Sequence, residues 1–180
     1  MLFRSSGEPL HLALSPRNPK DFRGVGRRDP AVTDAILDGY IRGTAAQLAG
    51  NAAGERLPAK LAIGTLAPET LEALGIEGEA RVVVSRGSDN VGVKHMLRRH
   101  AKELEDGSFR RILSSLLADP KARYTLSMSK GRNNHIAVWN DRGELLVLRR
   151  HGDAEDWEVV SAIRTDPKNP GYRVKMTATR

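Results

Sequence analysis

The chain has no cysteine, which excludes disulfides, thiolate metal sites and a cysteine nucleophile. Aromatic residues are scarce at 4%. That argues against a surface that reads single strands by base stacking, and leaves phosphate binding untouched. No segment approaches the roughly 20 apolar residues that a membrane-spanning helix needs. Met1-Leu2-Phe3-Arg4-Ser5-Ser6-Gly7 lacks the apolar run of a secretory signal. The expectation is a protein with no membrane anchoring. The lack of cysteine fits a chain that works in a reducing cytoplasm, or one that must unfold and cross membranes without staples. Gly24 and Gly26 do not make a dinucleotide fingerprint, because no strand is expected before them and no third glycine follows at the required spacing. There is no internal repeat.

What is present is positive charge, and it lies in one half. Residues 1–80 carry 9 Lys+Arg against 10 Asp+Glu, whereas residues 81–180 carry 20 against 12. The net charge of +7 therefore belongs to the second half. A basic region of this kind attracts polyanions by long-range steering and counterion release.

Pro, Gly and Arg crowd residues 1–30, which read as an irregular arm. Asp29-Pro30 has the form of a helix start, and Ile36, Leu37, Tyr40 and Ile41 recur at helical spacing, so a helix is expected over 31–49. Gly50-Asn51-Ala52-Ala53-Gly54 reads as a linker. The division expected is an arm, helix and linker over 1–56 and an α+β domain over 57–180. Within the latter, strands are expected at 60–64 and 81–85 and a short helix at 68–75. A long helix follows over 89–105, capped by Ser88 or Asp89, and another over 109–117. Five strands then alternate with turns, over 124–128, 134–139, 144–149, 157–163 and 172–178, with Asn140-Asp141-Arg142-Gly143 as a hairpin turn. The fold class expected is α+β, with N-terminal helices packed on a mainly antiparallel sheet of four to six strands.

The densest chemistry is Lys94-His95-Met96-Leu97-Arg98-Arg99-His100. Histidine changes charge near neutral pH and suits proton transfer, and Arg and Lys hold phosphate. On a continuous helix Val93, Leu97, His100 and Leu104 share one stripe, so His100 is expected to face the sheet and His95 to lie more openly. A core histidine and a solvated charged face are the plain alternatives. The two histidines stand five positions apart rather than four, with no matching carboxylate, so no metal site is expected. Neither is a cofactor. His135 and His151 stand in reserve, at a turn edge and in a loop. Glu103-Leu104-Glu105 has the spacing of an ADP-ribosyl transferase pair but falls on a helix.

An ordered series runs through the second part of the chain. It comprises Leu57-Pro58, Gly75 closing a short helix, a Val-rich strand ending in Ser85, Arg99-His100 on a helix, Asp119-Pro120 after a second helix, and Thr177-Ala178 on a last strand. The series resembles the barnase/EndoU/colicin/RelE-like (BECR) nuclease domains of phage head-morphogenesis proteins and polymorphic toxins, over residues 57–180. The resemblance implies a metal-independent endoribonuclease, toxin-like and phage- or secretion-associated. RNA, tRNA included, would be its substrate, and an immunity protein its partner. Carried over by position, His100 and Arg99 match the family's helix pair and Thr177 the polar residue of its last strand. His95 is the second catalytic candidate. Arg98, Lys94, Lys130 and Arg149 are the candidate RNA-binding cations. A non-catalytic nucleic-acid-binding module of phage assembly or packaging is the other class that fits the charge.

Overall fold

The computed structural model describes residues 22–50, 57–128, 133–152 and 154–165. Thr177, Lys130 and the strand expected at 172–178 lie outside them. The elements run β1 (Gly26–Arg28), α1 (Asp34–Leu48), β2 (Lys60–Leu66), α2 (Pro68–Ala73), β3 (Arg81–Ser85), α3 (Gly92–Arg99), α4 (Ala101–Glu105), α5 (Ser108–Ala118), β4 (Arg123–Met128), β5 (Asn133–Trp139), β6 (Glu144–His151) and β7 (Asp156–Arg164). The α+β class holds. Among the described residues, however, the sheet has seven strands in the order β1-β2-β3-β7-β6-β5-β4. It is mixed, since β3 and β7 pair in parallel while the other neighbours are antiparallel. The two halves of the chain thus meet at that parallel seam.

Helix α5 shows how sequence becomes packing here. Phe109, Ile112, Leu113, Leu116 and Leu117 recur at i, i+3, i+4, i+7 and i+8, and all are buried. They join Leu37 and Tyr40 of α1, Leu71 of α2, Val93 and Met96 of α3, and the inward strand residues Val82, Val84, Ile136, Val138, Leu146, Leu148, Trp157 and Val159 in one core. The opposite face of the sheet holds a smaller cluster, Ala137, Leu145 and Val147 with Trp139, Val160 and Ile163, made by strand residues alone. Every second strand residue points away from the helices.

The boundary expected at residue 56 does not coincide with a break in this core. Val25, Val32, Leu37 and Tyr40 are buried in the same cluster as the later strands. The Tyr40 hydroxyl, 2.9 Å from the Pro58 carbonyl and 3.0 Å from that of Ala59, ties α1 to the approach of β2. Burial pushes its pKa up and Glu158 adds to that, against the backbone hydrogen bond and positive charge of Arg86, which pull it down. Residues 26–28 are a strand rather than part of an irregular arm. The glycines make that possible: a Cβ on Gly24 would stand 2.5 Å from the Leu117 carbonyl and one on Gly26 2.5 Å from that of Thr65. Helix α1 starts later than Asp29-Pro30 suggests. Asp29 is buried and folds a turn by accepting the Ala31 amide at 2.9 Å, and Thr33 caps the helix through the Ile36 amide.

The 89–105 segment also departs from expectation. Neither Ser88 nor Asp89 caps it; α3 begins after Val91 and ends at Arg99. His100 leaves the helical region at φ −141°, ψ 40°, and α4 restarts beyond it. A continuous helix would set the His100 imidazole on the apolar stripe without a partner, at the cost of desolvating it. The break leaves His100 half-exposed, and Met96 occupies the core instead.

Candidate active site

The β3–α3 loop builds the site. It turns on Gly87 and Gly92, at φ 84° and 78°. A Cβ on Gly92 would stand 2.5 Å from Ser85 Oγ, and one on Gly87 would collide with the Val91 carbonyl, so both positions require glycine. The loop folds back on α3 through the Lys94 amide, which donates to the Arg86 carbonyl at 3.0 Å. It thereby brings the Asp89 carbonyl within 2.8 Å of His95 Nδ1. A carbonyl only accepts, so Nδ1 carries the proton and Nε2 is left as the atom that can take or give one.

The helix break moves His100 beside His95. Their ring centroids lie 5.6 Å apart, with the rings edge to face. The periodicity had placed the two on opposite sides of one continuous helix. Burial is the main cause that holds the His100 pKa below 6.5; Glu103 pulls the other way, and His95 and Arg99 add to the depression. Burial therefore favours the neutral form of His100, the form in which an imidazole can act as a base. Glu103 lies on α4, and its nearest chemical role is this effect on His100.

The cations of the cluster divide. Arg98 Nη1 sits 2.6 Å from Asp89 Oδ1, and Lys94 Nζ 3.5 Å from the same oxygen. These two contacts hold the exposed Asp89 carboxyl below the usual range. Arg99 is exposed and makes no ion pair among the described residues. Arg149 does not join this group. It points from β6 to the face of the sheet that carries no helix among the described residues, the helix-free face, whereas α3 packs on the other. His135 is not at a turn edge: it lies within β5, directly across from Arg149. His151 ends β6 and is exposed.

The residues that sequence reasoning missed lie on that same helix-free face. Lys60 Nζ is 3.1 Å from Glu158 Oε1 and 3.6 Å from Asp156 Oδ2, and Arg81 Nη2 is 2.7 Å from Asp156 Oδ1. Asp89 was considered only as a cap. The signal for the sheet cluster was present in β7, where Asp156 and Glu158 alternate with Trp157 and Val159, but only the pairing of β3 with β7 brings Arg81 and Lys60 to them. Among the described residues no group of three or more His, Asp or Glu could hold a metal ion. Comparison with protein-family models, with curated proteins and with solved structures found no match to this chain.

Proposed function

We propose that this protein is an endoribonuclease that cleaves RNA without a metal, in the manner of the nuclease domains its sequence resembles. The 5.6 Å juxtaposition of His95 and His100 carries the reading. Two imidazoles that close can serve one phosphodiester as base and acid. His100, held toward its neutral form, takes the proton of the ribose 2′-OH. The freed oxygen attacks the adjacent phosphorus. His95 in its imidazolium form gives the proton on Nε2 to the departing 5′-oxygen. The products are a 2′,3′-cyclic phosphate and a 5′-hydroxyl, and all atoms of the reaction come from RNA and the two rings. Arg99, which makes no ion pair among the described residues, stabilises the charge on the non-bridging oxygens. Thr177 and the toxin or phage setting enter only through the resemblance, and Lys130 only as one of the sequence's candidate RNA-binding cations.

The test is incubation of the full chain with total tRNA and rRNA in EDTA, followed by end-group analysis. Wild type yields cyclic phosphate ends. His100→Gln and His95→Gln each lose about 10²–10⁴ in rate, the usual cost of removing a general acid or base, while melting unchanged. If wild type cuts nothing while still binding RNA, the reading falls and a non-catalytic nucleic-acid-binding module of phage assembly or packaging takes its place.

A further inference from the structure

The helix-free face of the sheet carries a second charged group that the proposed chemistry does not use. Pairing sets His135 of β5, Arg149 of β6 and Glu158 of β7 in one row, each directly across from the next. Neighbours so placed have Cβ atoms about 5 Å apart. Along this face the other cations are committed. Lys60 is held by Glu158 and Asp156, Arg81 by Asp156, and Arg123 by Asp141 at 2.8 Å. Glu158, the carboxylate across from Arg149, is turned to Lys60 instead. Arg149 is only partly exposed and makes no ion pair among the described residues, and neither does His135.

We propose that His135 and Arg149 form a seat for one tetrahedral oxyanion, the phosphate group of a nucleotide or polynucleotide, on the face of the sheet opposite His95 and His100. Two groups of like sign that share a partly buried patch with no ion-pair partner among the described residues are stabilised by an external anion, and a guanidinium fork beside an imidazole matches phosphate oxygens in geometry. The His135 pKa is held down first by burial and then by Arg149, which is the state an arriving anion reverses. Among the described residues, the charged or titratable groups that face His135 are Arg149 across from it, His151 two residues further along the same face of β6, and Glu158 one strand further. On the other side, Arg123 of β4 is occupied by Asp141.

The experiment is a pH titration of the His135 ring protons by NMR on the full chain, with the signal assigned from His135→Gln. Sulfate serves as the probe because it stays doubly charged across the range, and chloride of equal ionic strength is the control. Sulfate is expected to raise the His135 midpoint by about one unit, as an opposite charge in contact does. Arg149→Gln abolishes the shift, and Arg149→Lys, which keeps the charge and the strand, retains part of it. His100→Gln leaves it intact, so the result stands or falls apart from ribonuclease activity. An oligoribonucleotide with hydroxyls at both ends, and adenosine monophosphate beside it, locate the source of the phosphate. A shift with the former assigns an internal phosphodiester, and a shift with the latter alone assigns a terminal or free phosphate. Equal midpoints in sulfate and chloride overturn the proposal, as does a shift that survives in Arg149→Gln.

Discussion

At Asp89 one residue supplies two groups to the candidate site. Its backbone carbonyl fixes the protonated nitrogen of His95, and its carboxylate occupies Arg98 and Lys94. The carbonyl orients the imidazole, while on the proposed reading the carboxylate competes with a substrate phosphate for Arg98 and Lys94. Asp89→Asn keeps the shape and the backbone and removes the charge. The expected result is tighter RNA binding at low salt. The plot of log affinity against log salt should steepen by about 0.7 for each cation released to the strand. An unchanged slope would place the RNA elsewhere. None of this was visible in the sequence, where Asp89 reads as a helix cap, because the positive φ of Gly87 and Gly92 moves the helix start three residues along.

At the scale of elements, the contribution of α1 and β1 is the sharpest departure from the sequence reading. Composition places residues 1–56 outside the core, since Pro, Gly and Arg in the arm and glycines in the linker are the marks of loose chain. Burial says otherwise for residues 22–50. Leu37 and Tyr40 lie under the same sheet as α5, and Arg28 joins β1 to α5 through Ser114 Oγ at 2.8 Å and to the turn before α1 through the Val32 carbonyl at 2.8 Å. Losing a buried residue of this size costs about 2–5 kcal/mol, and a domain holds only about 5–15 in total. Deletion of residues 1–55 should therefore abolish the cooperative melting transition. A truncated chain that still melts cooperatively would restore the boundary at 56. Elements with strong periodicity or β-branched runs, such as α5, β3 and β6, were legible. The break at His100 was not, because the alternative of a continuous helix is locally just as good and only the core decides.

For the whole molecule, the meander of β4 to β7 was legible, since short alternating segments and turn residues are local signals, whereas the expected order of helices before sheet was not, because β1, β2 and β3 alternate with α1 and α2. The parallel seam between β3 and β7 was not, because pairing across some 70 residues leaves no local mark. That seam decides which charged groups share a face, and so it also decides how stability responds to pH. His100 and His135 both have folded pKa values below 6.5, so the unfolded chain binds more protons than the native one there. Their contribution is complete above 6.5 and is lost as pH falls from there toward the folded values. Glu144 behaves as a second stage. Burial alone would raise its pKa, but donors from Asn140 Nδ2 at 2.8 Å and Arg111 Nη1 at 2.7 Å outweigh that and hold it below 4.5. Its contribution is complete above 4.5 and is lost as pH falls further. Denaturant unfolding across pH should thus show two descents, one beginning near the histidine value and one below the carboxylate value. The double variant His100→Gln, His135→Gln removes the first, and Glu144→Gln flattens the second while lowering stability at neutral pH by about 1–3 kcal/mol. Sulfate in the buffer shrinks the first descent through His135, because an anion that binds the protonated ring offsets the cost of charging it. A single descent below 4.5 in chloride would mean that neither histidine is depressed in the folded state.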